Sequence, residues 1–519
     1  MTHDDQRWWH DAVIYEVYVR SFADGDGDGI GDLAGIRSRL PYLVDLGVDA
    51  LWITPCYPSP MADGGYDVAD YRDVDPLFGT LDDARALLAD ARAAGLKVIV
   101  DIVPNHTSSA HAWFQAALAA EPGSPERARY VFRPGRGEDP PNDWESVFGG
   151  RAWTRLPDGD WYLHLFDTTQ PDLDWSNHEV RAEFESVLRF WLDLGVDGFR
   201  VDVAHGMVKQ DGLPDAGTAG QHGLLESRPL PYFDQDGVHE VYREWRKVLD
   251  TYQPPRIAVA EAWTAAPERT ARYVRPDELH QAFNFHYLTA EWDAAALRRV
   301  ITESLAAMAP VGAPATWVLS NHDVRRHVTR YGGGETGLRR ARAAILLMLA
   351  LPGSVYLYQG EELGLEEILD LPDELRQDPV WERSGHTDPG RDGCRVPLPW
   401  TTGGSALGFG PDGSTPWLPQ PAHWAGLSAQ AQAGDPASVL ELYRSALRLR
   451  RTFSANDFDW ADSGGEVITV RRGGFGCAVN LGKDTARVPA ARVVLASGPY
   501  TVDGDELLLP TDTAVWWQD

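Results

Sequence analysis

Short apolar runs rich in Val, Ile and aromatic residues alternate along this chain with longer amphipathic stretches, and this order limits the fold more than any other feature. The runs are 12–20, 50–55, 97–104, 198–204, 257–263, 316–320 and 355–359. Each is too short for an ordinary helix. Most lack strict alternation, as expected of strands buried on both faces. Between them, 81–94 opens with Asp82 and Asp83 and closes on Gly95, a left-handed helix cap. Stretch 180–194 follows a cap at Asn177 or His178 and ends at Gly195, and 241–252 and 338–351 have the same character. Strand–helix alternation means βαβ units and a parallel sheet. With about eight strand candidates, a closed (β/α)8 TIM barrel is favoured over an open doubly wound sheet, whose GxGxxG turn is missing here.

Two regions break the alternation. Residues 108–175, rich in Pro, Gly, Trp and Asp, are too many for a loop and read as a small domain inserted after the third strand. A helix at 439–451 precedes short β-like pieces at 466–470, 491–495 and 514–517. The expected division is a barrel domain from 1–107 and 176–452, an inserted domain 108–175 and a C-terminal β domain 453–519. Segment 213–231, rich in Gly, Leu and Pro, is either a lid or an ordinary loop.

The charge balance excludes several partners. There are 47 basic and 77 acidic residues, a net charge of −30, so phosphate backbones and anionic lipid are repelled. The longest apolar run, 343–351, stops at Pro352, short of the roughly 20 residues a membrane span needs. The first residues lack a secretory pattern, and three cysteines without metal spacing make no disulfide framework. A cytoplasmic protein with a small-molecule partner, no nucleic acid and no membrane is expected, its oligomeric state open.

In a (β/α)8 barrel the chemistry sits where strands pass into βα loops. Polar residues at those points are Asp101, Asn105 and His106 after the third run, and Arg200, Asp202 and His205 in the fourth. Glu261 follows in the fifth, and Asn321, His322 and Asp323 close the seventh. A lone acid there is ordinarily structural, four converging on one rim are not, and a pair of acids flanking a bond is what glycoside hydrolysis requires. Arg200 lies on the same strand face as Asp202, which would keep that carboxylate ionised, as a nucleophile needs. Glu261 has no basic neighbour in sequence, so burial would raise its pKa, as a general acid needs.

A further acidic cluster lies in the loop after the first strand. Asp24, Asp26, Asp28, the Ile30 carbonyl and Asp32 stack oxygens at alternate positions, which suits a hard cation, Ca2+ or alternatively Mg2+. Gly35 stands where an EF-hand would carry its bidentate Glu. The bland reading is a solvated Gly/Asp turn.

Taken in order, DIVPNH (101–106), GFRVDVAH (198–205), EAW (261–263) and SNHD (320–323) resemble the four signature regions of glycoside hydrolase family 13, the α-amylase superfamily. QPDLDW (170–175), GVDALWITP (47–55) and GSVYLYQGEELG (353–364) resemble three more, and the likeness is to the oligo-1,6-glucosidase/α-glucosidase group. The resemblance implies Asp202 as nucleophile, Glu261 as acid/base and Asp323 as the third acid. It implies His106, Arg200 and His322 as contacts to the glucose, with Asp101 supporting them. Asp63 and Tyr66, in DGGYDV, match the segment that closes the pocket in exo-acting members, and Arg391 matches the partner of that Asp. Phe166 is an aromatic wall or a packing residue. Asp63 could instead be a turn residue, and Arg391 could neutralise Asp392 or Asp388. His205 stands where that group has Asn, facing the leaving group or satisfying a backbone carbonyl. Val203 is the residue associated in that group with α-1,6 preference.

The implied activity is a retaining exo-α-glucosidase, hydrolysing terminal α-1,4 or α-1,6 bonds of short oligosaccharides through a glucosyl-aspartate. The alternative is an α-glucosyltransferase or a sucrose- or trehalose-active member. A non-catalytic sugar-binding relative is opposed by the presence of all three acids.

Overall fold

The computed structural model describes residues 5–217, 230–453, 457–461, 465–489 and 492–518. Most of the candidate lid segment therefore lies outside the described residues. Eight strands form one parallel sheet: β1 (Val13–Val17), β2 (Ala50–Ile53), β3 (Lys97–Ile102), β4 (Gly198–Val201), β5 (Ile257–Ala260), β6 (Gln281–Ala282), β7 (Thr316–Val318) and β8 (Ser354–Tyr358). Pairing runs from β1 round to β6, and β8 joins β7 to β1. A parallel bridge from Phe283 to Thr316 closes the ring.

Both faces of these strands are buried, which is why the runs do not alternate. Ile14, Trp52, Ile99, Val259, Phe283, Val318 and Tyr356 fill the barrel interior. Their neighbours Tyr15, Leu51, Ile53, Val98, Val100 and Phe199 pack outward in the main core. The sixth strand matches none of the seven apolar runs. It is two residues long and follows Glu278 and His280, so neither length nor hydropathy marks it.

The helices start and stop where their caps stand. Leu81–Ala93 begins with a capping box between Thr80 and Asp83, and Gly95 has φ 81° beyond its end. His178–Leu194 is capped by the Asn177 side chain and ends at Gly195 with φ 118°.

Between β3 and β4 lies a three-stranded antiparallel sheet of Phe132–Pro134, Trp153–Arg155 and Asp160–Leu163. Past the helix Val439–Arg450, antiparallel sheets of five and three strands occupy the C-terminal part. Trp516 there donates its indole N–H to the Leu346 carbonyl at 3.0 Å, tying the larger sheet to helix Gly334–Ala350. Among the described residues no helix is long and apolar enough to cross a membrane.

Candidate active site

One fully buried guanidinium organises the rim. Arg200 projects from β4 and donates to Asp101 on β3 at 2.9 Å and to Asp202, just past β4, at 2.5 Å. Its other terminal nitrogen is 3.2 Å from Oε2 of Glu261, just past β5. The guanidinium also lies over the rings of Trp52 and Tyr66, at 5.1 and 5.5 Å. Removing these charges from water costs several kcal/mol per ion, and mutual pairing offsets it.

This geometry corrects the expected electrostatics. Glu261, without a basic neighbour in sequence, has Arg200 beside it in space. Burial raises Asp202 well above the ordinary carboxylate range, and the crowding of Glu261 and Asp101 adds to it, against the pull of Arg200. Burial also raises Glu261, and pushes Asp101 up to about 6. Three carboxyls share a single cation, so the cluster holds on to protons as a unit. What distinguishes the two carboxyls is their donors. Asp202 takes the charged one at close range. Glu261 takes the Val203 backbone N–H at 2.7 Å and the Trp263 indole N–H at 3.0 Å. Val203 has φ 42°, a costly backbone for a β-branched residue, stabilised where its N–H meets Glu261.

Opposite stands Asp323, whose Oδ1 accepts from Arg391 at 3.0 Å and Arg395 at 2.9 Å. Burial opposes its ionisation, but His322, Arg391 and Arg395 together hold it well below the usual range. His322 is stacked between Tyr66 and Tyr18, and its Nδ1 meets Glu16 Oε1 at 2.6 Å. Burial pushes Glu16 up and His322 down.

Arg391 does not neutralise Asp392 or Asp388. It bridges Asp63 at 2.6 Å, Asp378 at 2.5 Å and Asp323. Asp63 does stand in a turn, its carbonyl accepting from Tyr66 N–H at 3.0 Å, but its carboxylate is buried and also accepts from Gln170 at 3.0 Å. Tyr66 donates its hydroxyl to Asp101 at 3.1 Å. His106 lies 3.1 Å from the Tyr66 carbonyl, and burial lowers it to about 4. Phe166 packs against His106 and Phe148, so wall and packing roles coincide. His205 is buried against Phe233, ring centroids 4.4 Å apart.

The chain matches the model of the alpha amylase catalytic domain over residues 16–456. It belongs to the alpha-amylase family. Within that family it is 39% identical to a probable alpha-glucosidase of Rhizobium meliloti (strain 1021), over 90% of this chain and 87% of the relative. It is 36% identical to an oligo-1,6-glucosidase of Parageobacillus thermoglucosidasius, over 86% and 84%. The crystal structure of the alpha-glucosyl transfer enzyme XgtA superposes with a TM-score of 0.89 at 37% identity, covering 98% of this chain and 99% of that one. The resemblance read from the motifs is thus a family relationship spanning most of the chain.

Away from the acids of this alpha-amylase family pocket, the loop after β1 gathers Asp24, Asp26 and Asp28, with one carboxylate oxygen from each within 4.8 Å of the others. Asp24 is already oriented by the N–H groups of Gly27 and Gly29, and Asp28 by that of Ile30. Asp32 departs from the expected ligand set. Its carboxylate caps helix Leu33–Ser38 through Gly35 N–H at 2.6 Å and takes Gly25 N–H at 2.8 Å. One oxygen caps the helix, and the other accepts from the Gly25 and Asp26 N–H groups of the loop itself.

Sequence reasoning missed several members of the site. Glu16 is a charged residue inside an apolar strand, a signal that was legible. Gln170 lies within QPDLDW without having been singled out, and Arg395 stands four positions past Arg391. Asp378 carries no local signal, and only the return of its loop to Arg391 reveals it.

Proposed function

We propose that this alpha-amylase family member is a retaining, exo-acting α-glucosidase on short oligosaccharides or small α-glucosides. The observation that carries this is the pair Asp202 and Glu261 on one guanidinium, each within 3.2 Å of it. Both carboxyls thus meet at the ends of the adjacent strands β4 and β5, the placement a nucleophile and an acid need to act on one bond. In this reading Asp202 attacks the anomeric carbon as the leaving oxygen takes the proton of Glu261. Glu261 then takes a proton from water as that water releases glucose from Asp202. Asp323, with His106, Arg200 and His322, binds the sugar as charge develops. The Asp63–Arg391 bridge walls the pocket beyond the terminal glucose, with Tyr66 and Phe166 at its sides, which favours release of single units. Proton NMR of the freshly cleaved sugar tests the reading: α-glucose is expected first, and initial β-glucose would defeat it.

Transfer to a second sugar is the alternative, favoured by the likeness to the alpha-glucosyl transfer enzyme XgtA. A glucosyl-aspartate intercepted by an acceptor sugar requires no different residues. Products from maltose, isomaltose, sucrose and trehalose separate hydrolysis, transfer and isomerisation.

Asp24, Asp26, Asp28 and the Ile30 carbonyl form the proposed structural Ca2+ site, with Mg2+ the competitor and Asp32 supporting the loop. Three convergent acids crowd one another without a cation, which supports this assignment. A cytoplasmic location is supported by three buried, unpaired cysteines.

A further inference from the structure

We propose that Lys209 is a positioning residue which, through Asn105 and Asp172, fixes the tautomer that His106 presents to the sugar. The inference rests on the glucosidase reading of the pocket. Lys209 is one of four lysines in the chain and its side chain is only 5% exposed. Its ammonium stands 2.6 Å from Asp172 Oδ2 and donates to Asn105 Oδ1 at 3.0 Å. Asp172 and Asn105 are both fully buried. The three come from separate segments: the loops that follow β3 and β4, and the return of the insertion to the barrel.

Donor and acceptor identities then leave one arrangement. An ammonium only donates and a carboxylate only accepts. With Oδ1 on Lys209, the Asn105 amide nitrogen faces Asp172 at 3.0 Å and His106 Nδ1 at 3.2 Å. Nδ1 must therefore accept. Burial and the nearby Lys209 charge keep His106 neutral. Its proton therefore sits on Nε2.

That nitrogen lies 3.1 Å from the Tyr66 carbonyl, which only accepts. Gln170 Nε2 is also 3.1 Å away, but its amide is already held by Asp63 Oδ2 and the Asp167 N–H. The opposite tautomer would satisfy Gln170 alone. It would set two N–H groups against each other at Asn105 and leave the Tyr66 carbonyl without this donor. Two hydrogen bonds outweigh one. His106 thus holds a fixed Nε2–H, donated to the Tyr66 carbonyl and shared with an oxygen of the bound sugar that comes beside it, prepared by a cation that touches neither Asp202 nor Glu261.

The experiment is NMR of the full chain labelled with 15N-histidine, with His106 identified by its loss in His106→Asn. The parent protein should carry its proton on Nε2 and an unprotonated Nδ1. In Lys209→Met the Asn105 amide is free to turn, and the His106 resonances should move toward the other tautomer. The loss of one hydrogen bond then lowers kcat/KM on 4-nitrophenyl α-glucoside by up to about tenfold. Lys209→Arg should restore both readouts. A parent spectrum with the proton on Nδ1, or His106 resonances unmoved in Lys209→Met, would overturn the proposal whatever the activity does. The parent spectrum decides even if Lys209→Met fails to fold. Because it needs no turnover, it is independent of the test of the glucosidase reading.

Discussion

Arg391 donates to Asp63 at 2.6 Å although 328 positions separate them, and the same guanidinium holds Asp378 and Asp323. Replacing it strands buried carboxylates, a change that typically costs about 3–5 kcal/mol. Arg391→Met should lower the melting temperature and reduce kcat/KM on maltose by at least about a hundredfold, on the same energy scale. Asp63→Asn, which keeps the shape and one of the two acceptors, should melt closer to the parent. Thermal melts and steady-state kinetics check both, and parent-like behaviour of Arg391→Met would remove the bridge from the account.

Asp202→Ala should abolish turnover while the melting curve stays cooperative. Glu261→Gln should lose far less on 4-nitrophenyl α-glucoside than on maltose, because an activated leaving group needs no proton. Equal losses on the two substrates would remove Glu261 from the acid role.

Val203 follows Asp202, has φ 42° and holds Glu261 by its N–H. Its side chain packs with Leu230, Tyr232 and Phe233, and apolar shape of this kind would discriminate between leaving groups by only ~1–3 kcal/mol. Val203→Thr should therefore shift the ratio of kcat/KM for isomaltose over maltose toward maltose by about tenfold. An unchanged ratio across the two sugars would end the link between Val203 and linkage preference.

Calcium bound at the proposed Asp24, Asp26 and Asp28 site would stabilise by mass action, about 2.7 kcal/mol at a hundred times the dissociation constant. Added Ca2+ should raise the melting temperature of chelator-treated protein, and Asp26→Asn with Asp28→Asn should cancel the rise. A rise that survives the double substitution would relocate the cation.

Glu361 and Glu362 are adjacent buried carboxyls beyond β8. Burial pushes Glu361 up to about 8, against the Tyr358 N–H that it accepts and with the neighbouring Glu362 adding to the shift. The folded state therefore holds this proton more tightly than the unfolded chain. Its contribution to stability is complete below the unfolded value near 4.5 and fades as pH rises through about 8. Denaturant titrations from pH 5 to 9 should show that decline, and Glu361→Gln should flatten it. Parallel curves would assign the decline to other groups.

The alternation of runs dictated the barrel, because strands buried on both faces and capped amphipathic helices leave local marks at fixed periods. The capped ends at Asn177 and Gly195 and the rim positions of Asp202 and Glu261 were legible for that reason. Strand β6 was not, since two residues carry no periodicity and closure of the ring supplied what hydropathy lacked. Helix capping by Asp32 was hidden by its likeness to a ligand series. The electrostatics were the least legible, because charge acts through space. Sequence alone paired Arg200 with Asp202, while the fold added Asp101 and Glu261 to the same guanidinium and turned one expected ion pair into a shared cluster. What the sequence determined was periodic and local; what tertiary structure decided was which distant charges share one buried space, where low dielectric makes each neighbour count.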